Sequence, residues 1–383
     1  MATKRRIKRT SYFSYLVGTP SKGCQLCVKG CKLVIFITGL CSQNPHCFFC
    51  PISEQKSGKD VVYANEWKIA REKDILEEAR LTKAKGAGIT GGDPLVKLDR
   101  VVHYIKLLKK KFGKKFHIHL YTPLTLVTEQ KLKKMYSAGL DEIRFHPMLD
   151  RPAEWPRILL AGKFDWDVGV EIPVIPGKKK ETIHLLDFVE DKVDFLNLNE
   201  LEISDTNVNK LVERGFKTKD NLSYAVKGSQ EMALQFLNYL KKSRLNVHYC
   251  TAQTKDKAQL SRRIKRRALN VAKKFDFVTK DGTLVRGCIY LKNLVPGVGY
   301  RKLIEKANAK LIVRKLNGMK AVIQRKFRIP KSLIVVDPLK LRIITSIVIV
   351  DELNSELKKL GLIPAIVEEY PTWDAMEVDV QFL

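Results

Sequence analysis

The amino-acid sequence predicts an α/β fold: a partial or complete parallel (β/α) barrel with a small C-terminal α+β module. Three observations lead to this prediction. Apolar runs of strand length alternate with amphipathic helical segments over most of the chain, a rhythm that is typical of a parallel sheet. Glycines follow several helical segments, as at Gly86, Gly113 and Gly139, where a left-handed residue ends a helix. The rhythm changes near residue 280.

The division of the chain follows from these patterns and from its length. The 383 residues suit a barrel of roughly 200–250 residues with an additional module. We predict a basic arm and cysteine-rich lead-in over 1–32, the barrel over 33–280 and the module over 281–383. No stretch approaches the roughly 20 apolar residues of a membrane span, and no signal-peptide core directly follows the basic start. We therefore expect a cytoplasmic protein with no membrane partner.

Seven segments of the barrel region have the character of strands. They are Leu33–Thr38, Ala87–Thr90, His117–Tyr121, Glu142–His146, Asp167–Val174, Asp194–Ile203 and Leu245–Cys250. The amphipathic segments between them include Glu66–Lys83, Leu98–Lys111, Glu129–Ala138 and Glu231–Lys242. In such a barrel the chemistry lies at the carboxyl ends of the strands. We expect the functional site at that end.

The C-terminal module has a different pattern. Leu333–Val336, Leu341–Val350 and Ala365–Tyr370 resemble strands, and Glu352–Leu360 resembles a short helix. Apolar and polar residues alternate over Met376–Phe382, which predicts a half-buried strand. The pattern indicates no function for this module.

The formal net charge of +29 raises the question of a polyanionic partner. Basic residues cluster in the N-terminal arm, around residues 109–115 and around residues 262–267. One interpretation is a lysine-rich, well-solvated surface. The other is an RNA partner, although no sheet with interleaved aromatic and basic residues is visible. Both interpretations remain open at this point.

Six of the eight cysteines lie between Cys24 and Cys50, which favours metal or cluster ligation over a secreted disulfide scaffold. Cys41, Cys47 and Cys50 have the spacing C-x5-C-x2-C just after the first predicted barrel strand. Three thiolates would hold a four-iron cluster and leave one iron without a protein ligand. The alternative is a structural zinc ion, which requires a fourth ligand such as His46 or an upstream cysteine.

A Gly91-Gly92-Asp93-Pro94 turn follows the second predicted strand. Together with the cysteine loop, it resembles the radical S-adenosylmethionine (SAM) superfamily. The stretch Cys24–Trp67, with Ile52-Ser53-Glu54 and Tyr63-Ala64-Asn65-Glu66, resembles archaeal proteins related to pyruvate formate-lyase activating enzymes, and the resemblance covers about residues 24 to 270. The sequence departs from the family pattern in two places. The first cysteine gap has five residues where three are usual, and Asp93 stands where glutamate is common.

The resemblance implies a specific reaction. A [4Fe–4S] cluster on the three cysteines would cleave SAM reductively to a 5′-deoxyadenosyl radical, which would abstract hydrogen from an unidentified substrate. An electron donor such as ferredoxin or flavodoxin would be required, and RNA and a target protein are both candidate substrates. Two alternatives remain at this point. One is a non-catalytic zinc-binding RNA-interaction protein, and the other is a carrier that assembles clusters for other proteins.

The resemblance also assigns cofactor-binding residues. Phe49 would pack near the adenine, and the backbone of Gly91 and Gly92, in the turn completed by Asp93 and Pro94, would meet the methionine amino group. Candidates at other strand ends for ribose or carboxylate contacts are Thr122, Arg144 and Glu171. Ordinary polar residues of a barrel mouth are the alternative for these three. Further candidates for the cavity wall are Asn199, Glu200 and Glu202.

A second cysteine set, Cys24, Cys27 and Cys31, precedes the first. Its spacing, C-x2-C-x3-C, suits zinc or a second iron–sulfur cluster, with Cys250 as the best fourth ligand. His248 could replace one cysteine or serve only a structural role. No predicted strand leads into this set, which makes it the weaker candidate for the catalytic cluster.

His117 and His119 alternate within a predicted strand and resemble metal ligands. No matching carboxylate or third histidine lies close to them in the sequence. We therefore interpret both as ordinary strand histidines.

Overall fold

The computed structural model describes residues 5–43 and 46–383 and divides the chain into two compact units. The first runs to Arg263, and the second covers Ile264–Leu383. This division falls inside a helix, Ser261–Val271, whereas the sequence pattern predicts a boundary near residue 280. Within the described residues, we find no helix with the length and apolar content that a membrane crossing requires.

The first unit contains one sheet of eleven strands. In chain order they are β1 (Lys8–Arg9), β2 (Tyr15–Val17), β3 (Lys32–Phe36), β4 (Tyr63–Ala64), β5 (Trp67–Lys68), β6 (Gly86–Thr90), β7 (His117–Pro123), β8 (Glu142–His146), β9 (Asp167–Val174), β10 (Phe195–Glu200) and β11 (Asn246–Cys250). Seven of them, β3 and β6 to β11, are parallel and lie side by side in chain order. The outer neighbours of β3 and β11 are the antiparallel strands β4 and β2, so the barrel is partial. The seven predicted strands are confirmed.

Most of the described helices of this unit connect successive parallel strands, while the first precedes β3 and the last follows β11. They are α1 (Lys22–Val28), α2 (Glu72–Leu81), α3 (Leu98–Phe112), α4 (Glu129–Ala138), α5 (Lys179–Val189), α6 (Val208–Val212), α7 (Ser229–Leu240) and α8 (Ser261–Val271), which continues into the second unit. Shorter helical segments cover Pro94–Lys97, Pro152–Lys163 and Thr254–Leu260. When successive parallel strands are added in one direction through right-handed crossovers, the connecting helices all lie on one face of the sheet.

Alternation along the strands separates a core face from an interior face. In β7, Ile118 and Leu120 are fully buried in the main hydrophobic cluster of the unit. His117 and His119 of the same strand have the opposite orientation, because successive strand residues point to opposite faces. The barrel interior is therefore polar, while the face toward the helices is apolar.

The N-terminal arm is part of this architecture. β2 pairs antiparallel with β11, and Arg5 donates a hydrogen bond to the carbonyl of Leu245 at 2.8 Å. α1 follows β2 and lies at the amino ends of the parallel strands, where the amide of Gly23 donates to Glu142 at 2.9 Å. The expectation that no strand leads into Cys24 is therefore wrong. A strand of three residues is too short to show a period in the sequence.

The second unit is an antiparallel sheet with helices. Its elements are β12 (Phe277–Val278), β13 (Leu284–Leu291), α9 (Tyr300–Lys306), α10 (Ala309–Phe327), β14 (Ile334–Asp337), β15 (Arg342–Thr345), α11 (Ile347–Glu352), α12 (Asn354–Lys359), β16 (Leu362–Glu369) and β17 (Glu377–Phe382). The strand predicted over Leu341–Val350 is correct only as far as Thr345. Ser346 accepts a hydrogen bond from the amide of Ile349 at 3.2 Å and thereby caps α11.

Candidate functional site

A cavity of about 540 Å³ opens at the carboxyl ends of the parallel strands. Its volume lies within the range of about 300–1,000 Å³ that is usual for small-molecule sites. Most of the residues predicted for the site line it together: Cys41, Cys47, Phe49, Cys50, Gly91, Gly92, Thr122, Arg144, Glu171, Asn199, Glu200 and Glu202. These residues make up over a third of the wall. Asp93 and Pro94 are not among the residues that line the cavity.

The cysteine loop follows β3 and is held by its own return segment. Gly39 donates to the carbonyl of Lys59 at 2.8 Å, and Gly58 donates back to Gly39 at 2.9 Å. A Cβ atom on Gly39 would lie only 1.6 Å from the carbonyl oxygen of Lys56, so only glycine fits there. Residues 44 and 45 of the loop lie outside the described residues. Backbone hydrogen bonds therefore hold the start of the loop against its return segment.

Two thiols of this loop, those of Cys41 and Cys47, have raised pKa values. Burial raises the pKa of Cys47 to about 12, and the neighbouring Cys50 and Cys41 act in the same direction. Burial also raises the pKa of Cys41. Such thiols would become thiolates only beside a strong positive charge, which a bound iron cluster provides.

The Gly-Gly-Asp-Pro turn is fastened to the start of the cysteine loop. The amide of Gly92 donates to Thr38 and that of Asp93 donates to Leu40, both at 2.8 Å. A Cβ atom on Gly92 would lie 2.2 Å from the carbonyl oxygen of Leu40. On Gly91 it would lie 2.5 Å from that of Thr38. Both glycines are therefore required by this close backbone approach.

Asp93 joins three elements instead of facing the cavity. Its fully buried carboxylate accepts hydrogen bonds from Ser42 (2.5 Å), Thr122 (3.0 Å) and the amide of Leu95 (2.9 Å). Burial raises the pKa of this carboxyl group, although the three donors partly offset the effect. Pro94 begins the helical turn that follows. The structure gives Asp93 a positioning role, and its contact with a cofactor stays a prediction.

A buried charge network forms the floor of the cavity. Arg144 donates to Glu171 at 2.8 Å, to the hydroxyl of Tyr121 at 2.9 Å and to Glu142 at 2.5 Å. Asn199 donates to the other oxygen of Glu171 at 2.9 Å. Burial alone would raise the pKa of Glu171, but Arg144 and the asparagine donors outweigh it and the pKa is lowered. Glu171 therefore presents a carboxylate to the cavity at neutral pH.

The rim combines aromatic rings with ion pairs. The rings of Phe49 and His146 have centroids 5.8 Å apart. Lys255 donates to Glu202 at 2.6 Å, while Glu200 accepts from the amide of Ala252 at 2.8 Å. His146 and Lys255 also line the cavity and were not among the predicted site residues. The position of His146 at the end of a predicted strand could have indicated it, whereas no local pattern marks Lys255.

The second cysteine set lies near the floor, beneath the cavity. Cys24 is buried, and Asn197 donates to its sulfur at 3.3 Å. Burial opposes its thiolate, but Arg144 and His248 favour it, and the pKa is lowered to about 7. The sulfur of Cys31 lies 3.4 Å from the carbonyl oxygen of Lys29.

Cys250, the predicted fourth ligand, is buried and accepts from Gln259 at 3.4 Å. Cys24, Cys27, Cys31 and Cys250 provide no group of three sulfur atoms within single-ion distance. The second zinc or cluster site therefore stays a prediction.

Comparison with known proteins places the chain in a family. Residues 35–148 match the Radical SAM superfamily, and residues 282–381 match a domain of unknown function, DUF8061. A protein of Methanocaldococcus jannaschii named "Putative glycyl-radical enzyme activating enzyme MJ0021" is 44% identical over 281 residues. That match covers 71% of this chain and 74% of the relative.

Two solved structures are similar to parts of the chain. Methylornithine synthase (PylB) has a TM-score of 0.40 at 16% identity, over 55% of this chain and 62% of its own. Streptococcus suis SuiB, solved with the precursor peptide SuiA, has a TM-score of 0.43 at 15% identity, over 60% and 51%. The family assignment is based on the sequence matches and not on these two. The M. jannaschii relative shares 44% of its residues with this chain over 74% of its length, and residues 35–148 match the radical SAM family. The chain therefore belongs to the radical SAM superfamily and is a radical SAM enzyme.

Proposed function

We propose that this enzyme cleaves SAM reductively at a [4Fe–4S] cluster bound by Cys41, Cys47 and Cys50, and abstracts a hydrogen atom from a protein substrate. The observation that carries the proposal is the cavity of about 540 Å³ at the carboxyl ends of the strands. The three thiols, the glycine turn and the Glu171 carboxylate all line it. Family membership favours this enzyme over a non-catalytic zinc protein and over a cluster carrier.

The residues of the cavity fit the two cofactors. A bound cluster supplies one electron to the sulfonium of SAM, which gives methionine and a 5′-deoxyadenosyl radical. Gly91 and Gly92 leave backbone groups exposed along one wall, where an amine and a carboxylate can be held. Glu171 and Asn199 offer acceptors and donors for hydroxyl groups, and Phe49 offers an aromatic surface for a base. Enclosure by the strands would keep water away from the reacting atoms.

The protein substrate is inferred from the relative. Its name describes an enzyme that activates a glycyl-radical enzyme, and such a target is a polypeptide. The cavity is open at the rim, so an extended loop of another protein could enter it. A ferredoxin or flavodoxin would supply the electron in the cell.

The cleavage reaction is tested by anaerobic reconstitution with iron and sulfide, followed by dithionite and SAM. The product, 5′-deoxyadenosine, is measured by chromatography. The native protein should form it, and a variant with Cys41, Cys47 and Cys50 changed to alanine should not. Cys288→Ala is the matched control, because it removes a buried thiol from the other unit. A cluster-loaded native protein that fails to bind SAM would refute the proposal.

The substrate class is tested with extracts of the organism that encodes the protein. An extract that contains the target should increase 5′-deoxyadenosine formation. Protease treatment of the extract should abolish the increase, while ribonuclease treatment should leave it unchanged. The opposite result would replace the protein substrate with RNA. If neither treatment abolishes the increase in 5′-deoxyadenosine, the substrate is a small molecule.

A further inference from the structure

Three ionisable residues meet at the amino ends of the parallel strands, opposite the cavity. His117, Glu142 and Asp167 are the first residues of β7, β8 and β9, which are neighbours in the sheet. One ligand atom from each lies within 4.8 Å of the other two. The expectation that no carboxylate accompanies His117 is therefore wrong. The sheet register brings together residues that are 25 positions apart in the sequence.

His117 is the unusual member of this group. The residue is only 9% exposed, and neither ring nitrogen has a hydrogen-bond partner within the described part of the chain. Nε2 lies 3.5 Å from a carboxylate oxygen of Glu142, which is too far for a good hydrogen bond. Buried polar groups almost always have partners, and each exception requires an explanation. Burial lowers the pKa of His117, so its ring is neutral and can offer a lone pair.

The carboxylates around His117 are unequally neutralised. Glu142 is paired with Arg144 at 2.5 Å, and Asp141 is paired with Lys109 at 2.6 Å. Among the described residues, 5–43 and 46–383, we find no ion pair and no side-chain hydrogen bond for Asp167. Partial desolvation raises the pKa of Asp167, although its side chain is largely exposed, and the negative charges of Glu142 and Asp194 add to the effect. The carboxylate of Asp167 therefore faces two other acidic groups without a cation of its own among the described residues.

We propose that His117, Glu142 and Asp167 bind one divalent transition-metal ion, best satisfied by Zn²⁺, with water completing its coordination. An imidazole nitrogen and two carboxylates are suitable ligands for zinc. The ion would give His117 a partner and balance the charge of Asp167. It would join the starts of three adjacent strands, at the end of the sheet opposite the cysteine cavity. We therefore expect a structural role for it.

The test measures zinc uptake in the cluster-loaded, full-length protein. Each protein is dialysed against micromolar ZnCl₂, and bound zinc is counted by mass spectrometry. Wild type should retain one more zinc ion per chain than Asp167→Asn or His117→Ala. Asp165→Asn is the matched control, because Asp165 is an exposed carboxylate two residues away that does not belong to the group. All variants keep both cysteine sets, so zinc on thiolates cancels in the comparison.

A thermal melt in the same buffers gives a second measurement. Zinc should raise the unfolding midpoint of the first unit in wild type and in Asp165→Asn, but not in Asp167→Asn. Asp167→Asn changes an exposed side chain and should fold and form 5′-deoxyadenosine normally, which separates this site from the cysteine site. Equal zinc content in wild type and Asp167→Asn would overturn the proposal. So would the absence of any difference between their melts.

Discussion

The two ends of the parallel sheet are built from the same strands but differ in how they are closed. β8 shows the contrast, because Glu142 lies at its amino end, Arg144 in the middle and His146 at its carboxyl end. α1 closes the amino end, where its Gly23 amide bonds to Glu142. The carboxyl end opens into the cavity. The inward side chains are polar along the whole strand, so the closing element, and not the strand, decides which end opens into a cavity.

The two ends also differ in how their parts are held. In the barrel interior, the buried Glu142 at the start of β8 is paired directly with Arg144 from the middle of the strand, and each is no more than 2% exposed. At the carboxyl end, the loops are held by backbone contacts between glycines and carbonyl groups. Changes to the interior ion pair should therefore affect folding, and changes to the glycine contacts should affect cofactor binding. Three substitutions test this difference, from the largest expected effect to the smallest.

Arg144→Met should have the largest effect on stability. It would leave the buried carboxylates of Glu142 and Glu171 without their cation, and breaking such a pair costs about 3–5 kcal/mol. The measurement is urea unfolding of the cluster-free protein, followed by tryptophan fluorescence. Lys163→Met is the control, because Lys163 forms an exposed pair with Glu129 and should change little. Equal stability of the two variants would show that the network does not hold the barrel together.

Gly92→Ala should affect cofactor binding more than folding. The added Cβ would lie 2.2 Å from the carbonyl oxygen of Leu40, so the start of the cysteine loop would have to move. Overpacking of this kind costs about 1–3 kcal/mol, and when the loop relieves it by leaving its SAM-binding position, the loss in SAM affinity is about 5- to 150-fold. Equilibrium binding of SAM to the cluster-loaded protein measures the change. Gly162→Ala, whose Cβ would meet nothing within 4 Å, should bind SAM normally.

The sequence predicted the strands and the carboxyl end better than the amino end. Glu142–His146 and Asp167–Val174 were predicted to the residue, because their apolar content and flanking turns are local signals. The cysteine loop and the glycine turn follow predicted strands directly, so the barrel rule alone places them at one end. α1 is too short to produce a clear period. The meeting of His117 with Asp167 depends on sheet register, which no local pattern fixes.

Asp60→Asn should have the smallest effect and be sensitive to pH. Asp60 accepts from Arg100 at 2.6 Å and from the hydroxyl of Thr38 at 3.0 Å, so it supports the cysteine loop from outside. Hydrogen bonds from Arg100, then from Lys97 and Thr38, hold the pKa of this carboxyl group well below its usual range despite some desolvation. A lowered pKa adds stability at neutral pH, and this stability is lost as the pH falls below the ordinary aspartate value of about 3.9.

The contribution of Asp60 should stay below about 1 kcal/mol, because the side chain is one-third exposed and solvent screens the pair. The thermal midpoint of Asp60→Asn should therefore lie slightly below that of wild type at pH 7, and the gap should be smaller but still open at pH 3. Asp165→Asn, which changes an exposed carboxylate outside the helices and strands, should track wild type at both pH values. A gap that widens in acid would mean that the loop depends on a different group. The external support would then have to be sought on the return segment that bonds to Gly39.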